Sequence, residues 1–219
     1  MGKMDEPIIV VKRDILFGTG TGHDLTFQGM ETKPEKIEII EKRMAESYKI
    51  MRRGDAEEDP EYKQPIPYAV LRKGTQFFTY KRLGGGGESR LHGKISLGVG
   101  GHMNQVGGAS HFKKVFLDNL TRELNEELEI RDTGKLEFRT IGLINDDAAE
   151  VGRVHVGILV VIDLPVSAKI AVHEKEKLEG KWMNMDELAD PGIYERLESW
   201  SAFALDALKG QSLLKDRHS

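Results

Sequence analysis

Cysteine is absent from the chain, which excludes disulfides, thiolate metal sites and cysteine nucleophiles. Long apolar runs are absent too, and nothing approaches the ~20 residues needed to cross a bilayer as a helix. The first residues, M-G-K-M-D-E-P, are polar and acidic, unlike the basic-then-apolar pattern of a secretory signal. Met-Gly at the start lacks the Ser or Thr of a myristoylation motif, because Glu6 stands in that place. Neither charge is in large excess: 32 Lys and Arg against 36 Asp and Glu leave a formal net charge of −4. Composition therefore gives no sign of non-specific nucleic-acid binding. The glycine run G-T-G-T-G at Gly18–Gly22 lacks the Lys and Ser/Thr of a phosphate-binding P-loop and reads as a turn. A cytoplasmic protein with no membrane and no nucleic-acid partner is the expectation.

What is present is enough for a substantial core. The 219 residues are 39% hydrophobic and 31% charged, which suits one globular domain with an extension, or two small ones. Pro7–Phe17 contains the strand-like run I-I-V-V. From Pro34 to Arg53, Ile37, Ile40, Met44, Tyr48 and Met51 recur at three- and four-residue steps, which predicts an amphipathic helix ending at Gly54. The following D-A-E-E-D-P-E-Y-K-Q-P-I-P is polar and proline-rich, and reads as a linker. The expected organisation is thus an N-terminal extension over residues 1–66, packed on a domain over residues 67–219.

In that domain Pro67–Arg82 reads as two strands about a Lys73-Gly74 turn, and four glycines at Gly84–Gly87 as a loop. The apolar run I-S-L-G-V leads to Gly100-Gly101-His102, and a helix is expected from about Ser110, a plausible N-cap, to Glu129. Leu136–Ile144 and Val154–Leu164 are strand candidates, the second apolar enough to be buried on both faces. Between them N-D-D-A-A-E-V-G-R reads as a polar loop, and Lys181–Met185 as a short edge strand around Trp182. Asp190-Pro191 predicts a helix start, with Gly210 as its stop. Strands interleaved with helices imply an α/β architecture with helices on both faces of a sheet.

The most informative stretch is R-E-L-N-E-E-L-E-I at Arg122–Ile130. Offsets of three and four place Glu123, Glu126 and Glu127 on one helical face, while Leu120, Leu124 and Leu128 fall on a neighbouring one. Like charges at this spacing destabilise a helix by a few tenths of a kcal/mol per pair, roughly. A hard cation such as Mg²⁺ or Mn²⁺, which prefers oxygen ligands, removes that cost. Taken alone, the pattern is also that of a solvated acidic face.

Arg122–Ile130 resembles the R-E-U-x-E-E-x-G-U core of the Nudix (MutT-like) hydrolases, where U is a bulky aliphatic residue. Arg122, Glu123, Leu124, Glu126, Glu127 and Ile130 match, and Glu129 stands where Gly is usual. The full signature places a Gly and then a Glu before the Arg, as G-x5-E-x7-R. Counting back from Arg122 puts Lys114 in the Glu slot and Gly108 in the Gly slot. Alternatively Gly100-Gly101-His102 is the strand-to-loop element, with about seven extra residues before the helix, an alignment preferred because G-G-H after a strand begins many such motifs. One signature Glu is missing either way.

The resemblance, over roughly residues 66–190, implies a mixed sheet sandwiched between helices and a metal-dependent hydrolase of a phosphoanhydride bond. Its substrate would be a small phosphorylated molecule, nucleoside diphosphate-linked or related, and a homodimer would be compatible with the family. Mg²⁺ or Mn²⁺ would be held by Glu126 and Glu127, with Glu123 as a ligand or as the base that activates water. Arg122 would orient the glutamates, and the Gly101 carbonyl could complete the coordination. A further carboxylate from a loop is expected, with Glu176 the first choice and Glu174 and Glu150 next. His102, Arg82 and Arg90 are the candidates for binding phosphate, while His155 reads more readily as hydrogen-bonded structure. A non-catalytic nucleotide-binding module of the same fold is the competing reading, favoured by Lys114 in the Glu slot. An isopentenyl-diphosphate-isomerase-like activity typically needs a Cys, and none is present.

Overall fold

The computed structural model describes residues 2–83, 92–107, 111–134 and 136–216. The strands are β1 (Pro7–Lys12), β2 (Gly29–Glu31), β3 (Lys49–Arg52), β4 (Tyr62–Lys73), β5 (Gln76–Arg82), β6 (Ile95–Ser96), β7 (Gly98–Gly100), β8 (Leu128–Arg131), β9 (Glu137–Asn145), β10 (His155–Asp163), β11 (Lys169–Val172) and β12 (Leu178–Asn184). The helices are α1 (Arg13–Phe17), α2 (Pro34–Ser47), α3 (Arg53–Glu58), α4 (Phe112–Glu127), α5 (Glu150–Arg153), α6 (Met185–Ala189), α7 (Pro191–Tyr194) and α8 (Ser199–Asp216). This is the expected α/β class, a large mixed sheet flanked by helices. Among the described residues no helix is long and apolar enough to cross a membrane.

The chain forms two compact units, one of residues 1–68, 100–122 and 141–159, the other of residues 69–99, 123–140 and 160–219. Strands β4 and β10 run from one into the other, so position 66/67 lies inside β4 rather than between elements.

In the first unit β2 pairs antiparallel with β9, from Gly29↔Asn145 to Glu31↔Leu143. Strand β1 pairs antiparallel with β3, from Pro7↔Arg52 to Val10↔Lys49, and then with β4 at Val11↔Lys63. The I-I-V-V run accounts for this, since all four residues are buried and β-branched side chains suit a pleated surface. Helix α2 buries Ile37, Ile40 and Met44 and packs on α1 and β1. Alone such a helix would be marginal in water, and burying three aliphatic side chains is worth roughly 1.5–3 kcal/mol each. It ends at Ser47, six residues before the expected Arg53, because Lys49–Arg52 is recruited by β1 as strand β3. Met51 packs against Ile8, Val10 and Ala56 from that strand.

The expected linker is ordered structure. Arg53–Glu58 forms α3, supported by an i,i+4 pair of Arg53 with Glu57 at 3.3 Å and an i,i+3 pair of Arg52 with Asp55 at 3.0 Å. It stops at Asp59, whose extended backbone (φ −111°, ψ 96°) is what the following Pro60 demands. Strand β4 then begins at Tyr62 and tolerates Pro65 and Pro67 because N–H groups alternate along a strand. Gln64 N–H donates to the Val154 carbonyl at 2.7 Å, so both prolines turn their missing donors away from β10.

In the second unit the strand order is β12-β5-β4-β10, with β6 also on β5. Strand β12 lies antiparallel to β5, from Leu178↔Arg82 to Asn184↔Gln76, with Trp182 opposite Phe78. Their rings meet edge-on at 5.4 Å, and the Lys73 ammonium lies 4.2 Å from the indole centroid. Strands β8 and β11 form a separate antiparallel pair. Asp190 caps α7 as its sequence predicts, accepting from the Gly192 and Ile193 N–H groups. The helix does not continue to Gly210, however. Ile95 donates to the Arg196 carbonyl and accepts from Glu198 N–H, a bridge that breaks the helix before α8 restarts at Ser199. Gly210 then lies inside α8 with ordinary negative φ, since a lone helical Gly costs only about 1 kcal/mol.

Candidate functional site

Two groups of side chains have chemistry to offer, one in each unit. The first consists of Glu57 on α3, His102 in the loop after β7, and His155 at the start of β10. His102 Nε2 lies 3.1 Å from His155 Nε2 and 3.4 Å from Glu57 Oε1, and the third side, His155 Nε2 to Glu57 Oε1, is 3.9 Å. The Val151 carbonyl, 2.6 Å from His155 Nδ1, can only accept, so that nitrogen carries the hydrogen. Burial pushes the His155 pKa down to about 4, so the ring is neutral at pH 7 and Nε2 presents a lone pair to the cluster. The hydrogen bond from His102 holds the Glu57 carboxyl at about 2.

Gln64 borders this cluster. Its Nε2 donates to the Ala56 carbonyl at 3.2 Å, which fixes the amide so that Oε1 faces His102 Nε2 at 2.7 Å. Beside it, Lys63 is fully buried and donates to Asp147 Oδ1 (2.7 Å), the Gly152 carbonyl (2.8 Å) and the His155 carbonyl (3.2 Å). All three ammonium protons are thus engaged, and burial still lowers its pKa to about 8. Asp147 also takes a bidentate pair from Arg13 and a bond from Asn145 Nδ2 at 3.0 Å. Despite its desolvation, the Arg13 and Lys63 hydrogen bonds hold its carboxyl well below the ordinary range. A Cβ at Gly152 would run into the Asp146 carbonyl, so glycine is required for this packing.

Arg122 belongs to the same unit. Its Nη2 donates to the His102 carbonyl at 2.7 Å, Asn104 Oδ1 at 2.9 Å and Asn119 Oδ1 at 3.2 Å. The guanidinium therefore pins the loop after β7 to α4. Strand β7 ends at Gly100, where a Cβ would lie 2.5 Å from the Pro67 carbonyl, so the tight approach falls at Gly100, one residue before Gly101.

The second group lies on the last turns of α4. The helix covers Phe112–Glu127 and ends two residues before the expected Glu129, because Leu128–Arg131 pairs with Lys169–Val172 as a strand. Leu120, Leu124 and Leu128 are buried as their spacing predicts; Glu123 is buried with them at 8% exposure, Glu127 is half-buried and Glu126 exposed. The Glu127 carbonyl accepts from His173 N–H at 3.0 Å, which brings the 173–178 turn to the C-terminal end of α4. That turn carries Glu174 and the exposed Glu176. Arg82 Nε is bound to Glu198 Oε1 at 2.8 Å, and Glu127 adds to the field on it.

Arg90, Ser110 and Gly84–Gly87 lie outside the described residues. Lys114, in the slot of the missing Glu under one alignment, makes an exposed i,i+4 pair with Asp118 at 2.7 Å. Glu150 opens α5, in what the sequence presents as a loop. The sequence points to His102 and His155 separately but not to Glu57 and Gln64, which sit in the segment that reads as a linker. The available signal was alternation: Tyr62, Gln64, Ile66 and Tyr68 share one face of a strand that two prolines disguise.

No protein-family model matches the chain. It is 50% identical over 209 residues to Protein YmaB of Bacillus subtilis (strain 168), a match spanning 95% of this chain and 100% of that one. It is 30% identical to Tm1382, whose crystal structure is described as that of "a putative Nudix hydrolase". That likeness has a TM-score of 0.72 and covers 93% of this chain and 98% of the other. The chain belongs to the Nudix superfamily, with a divergent motif, and this kinship supports a hydrolase.

Proposed function

We propose that the chain is a metal-dependent phosphohydrolase that cleaves a phosphoanhydride bond in a nucleoside diphosphate-linked or related small substrate. The observation that carries this reading is R-E-L-N-E-E on α4 of a chain with Nudix kinship, its three carboxylates on the turns next to the loop of Glu174 and Glu176. That donor set is all oxygen and clustered in charge, which fits Mg²⁺ or Mn²⁺ rather than a thiophilic ion. Such a cation, when bound, neutralises phosphate charge and lowers the pKa of water. Glu126 and Glu127 would hold it, with Glu176 as the further carboxylate. Glu123, buried beside them, would take the proton from the attacking water or share in coordination. Arg122 positions the helix by fixing the loop at His102–Asn104.

Phosphate release from a panel of nucleoside diphosphate-linked compounds, with Mg²⁺ or Mn²⁺ and then with EDTA, tests the proposal. Turnover that needs metal and is lost in Glu127→Gln is expected. A wild type that turns over nothing, yet binds one nucleotide tightly without metal, decides for the binding module instead.

A further inference from the structure

We propose that Glu57, His102 and His155 form a binding site for a divalent transition-metal ion of zinc type, distinct from the carboxylate set of α4, with which it shares no residue. The geometry is the first argument. Glu57 Oε1, His102 Nε2 and His155 Nε2 form a triangle of sides 3.1, 3.4 and 3.9 Å. A point equidistant from three atoms so placed is about 2.0 Å from each, within the usual range for zinc bonded to imidazole nitrogen and carboxylate oxygen. An ion displaced slightly from that plane keeps bonds of this length and leaves a fourth direction open.

The donors are also prepared for an ion. His155 has Nδ1–H committed to the Val151 carbonyl at 2.6 Å, so Nε2 is the lone-pair nitrogen. A metal-ligating histidine is commonly fixed in this way by a carbonyl on its far nitrogen. Glu57 is ionised and steadied by Arg53 Nε at 3.3 Å. His102 Nε2 faces Gln64 Oε1 at 2.7 Å; an acceptor oxygen there means that this nitrogen carries the hydrogen when no ion is bound. On binding, Nε2 gives that proton up to solvent and the ring carries its hydrogen at Nδ1, which leaves the Nε2 lone pair for the ion. Gln64 Oε1, its amide fixed by the Ala56 carbonyl, is then available to the ion as a neutral fourth donor. Two imidazoles with one carboxylate select zinc, nickel, cobalt or iron over magnesium.

The three ligands come from α3, the loop after β7 and the start of β10, so an ion ties together segments that are far apart in the unfolded chain. Binding should therefore raise the melting temperature as well as fill the site.

The test uses the full chain, stripped with EDTA and titrated with Zn²⁺ alone by calorimetry. Uptake of one equivalent with a higher melting temperature is expected. Glu57→Gln, which keeps the side chain's shape, and His155→Ala should each weaken it by about 100-fold or more, the upper end of what removing even an outer-shell partner costs. Glu126→Gln should leave it in place. No uptake by the folded wild type, or uptake that Glu126→Gln abolishes and Glu57→Gln does not, overturns the site. Should His155→Ala fail to fold, wild type loaded with Co²⁺ decides the matter. Paramagnetically shifted ring protons from two histidines are expected, and a spectrum with fewer overturns the assignment.

Discussion

On α4, Glu123, Glu126 and Glu127 come from adjoining turns of one helix, and their spacing is whatever helix geometry makes it. Glu57, His102 and His155 come from three segments, and each is aimed by a different partner: Arg53, Gln64 and the Val151 carbonyl. The first arrangement offers charge and hard oxygen, suited to a cation that keeps much of its water. The second offers few charges but fixed directions, suited to a cation that chooses by geometry and by nitrogen. On the two proposals, one chain would take up two kinds of metal without cysteine, one through carboxylate oxygen and the other through imidazole nitrogen.

The sharpest way to break this contrast is to remove charge from α4. Glu127→Gln and Glu123→Gln should each lower Mg²⁺-dependent turnover by about 10²–10³, in line with the loss of a preorganised electrostatic group, while circular dichroism and zinc uptake stay unchanged. Loss of zinc uptake in these variants would merge the two regions into one. A smaller effect is expected from Lys63→Ala, which removes the ammonium that holds the His155 carbonyl and half-neutralises Asp147. Breaking a buried pair costs about 3–5 kcal/mol, and the remaining Arg13 pair and the partial exposure of Asp147 reduce this to about 2 kcal/mol. Chemical denaturation measures it, and zinc affinity should fall with it because the seat of His155 is lost.

Smaller again is the acid response. Asp147 has a folded-state pKa below its unfolded one, so its contribution to stability is complete above the ordinary carboxylate value. That contribution is lost as pH falls below about 4. Asp147→Asn should therefore destabilise the protein at neutral pH and flatten the acid limb of a melting-temperature profile; an unchanged limb would show that its ion pairs count for little. Least of all should come from Lys114→Ala, an exposed pair worth at most about 0.5 kcal/mol. Turnover within about twofold of wild type is expected, and a larger loss would mean that the missing-Glu slot still matters to the site.

The α4 carboxylates were legible because helical periodicity is local: nine residues carry both the buried leucines and the charged face. The same holds for I-I-V-V in β1 and for the Asp190 cap. Glu57 was not legible, because its meaning depends on β10 lying beside β4, a pairing between residues 90 apart such as Gln64 and Val154. Prolines 60, 65 and 67 disguised that pairing by mimicking a linker. Likewise Tyr48 and Met51 kept the helical spacing of α2 while the backbone had already turned to pair with β1, since an i,i+3 step cannot distinguish the two. The break at residues 195–198 escaped for a related reason, as Ile95 reaches it from a hundred residues upstream.

Lys63 has a use that does not depend on any ligand. A lysine with its pKa near 8 would be among the first to react with an acylating reagent if the reagent could reach it, yet in the native fold it has no exposed surface. Its modification must wait for β4 to come away from α5 and the start of β10. The rate at which this one amine is labelled, followed by mass spectrometry against the exposed lysines, is therefore a clock for the opening of that part of the molecule.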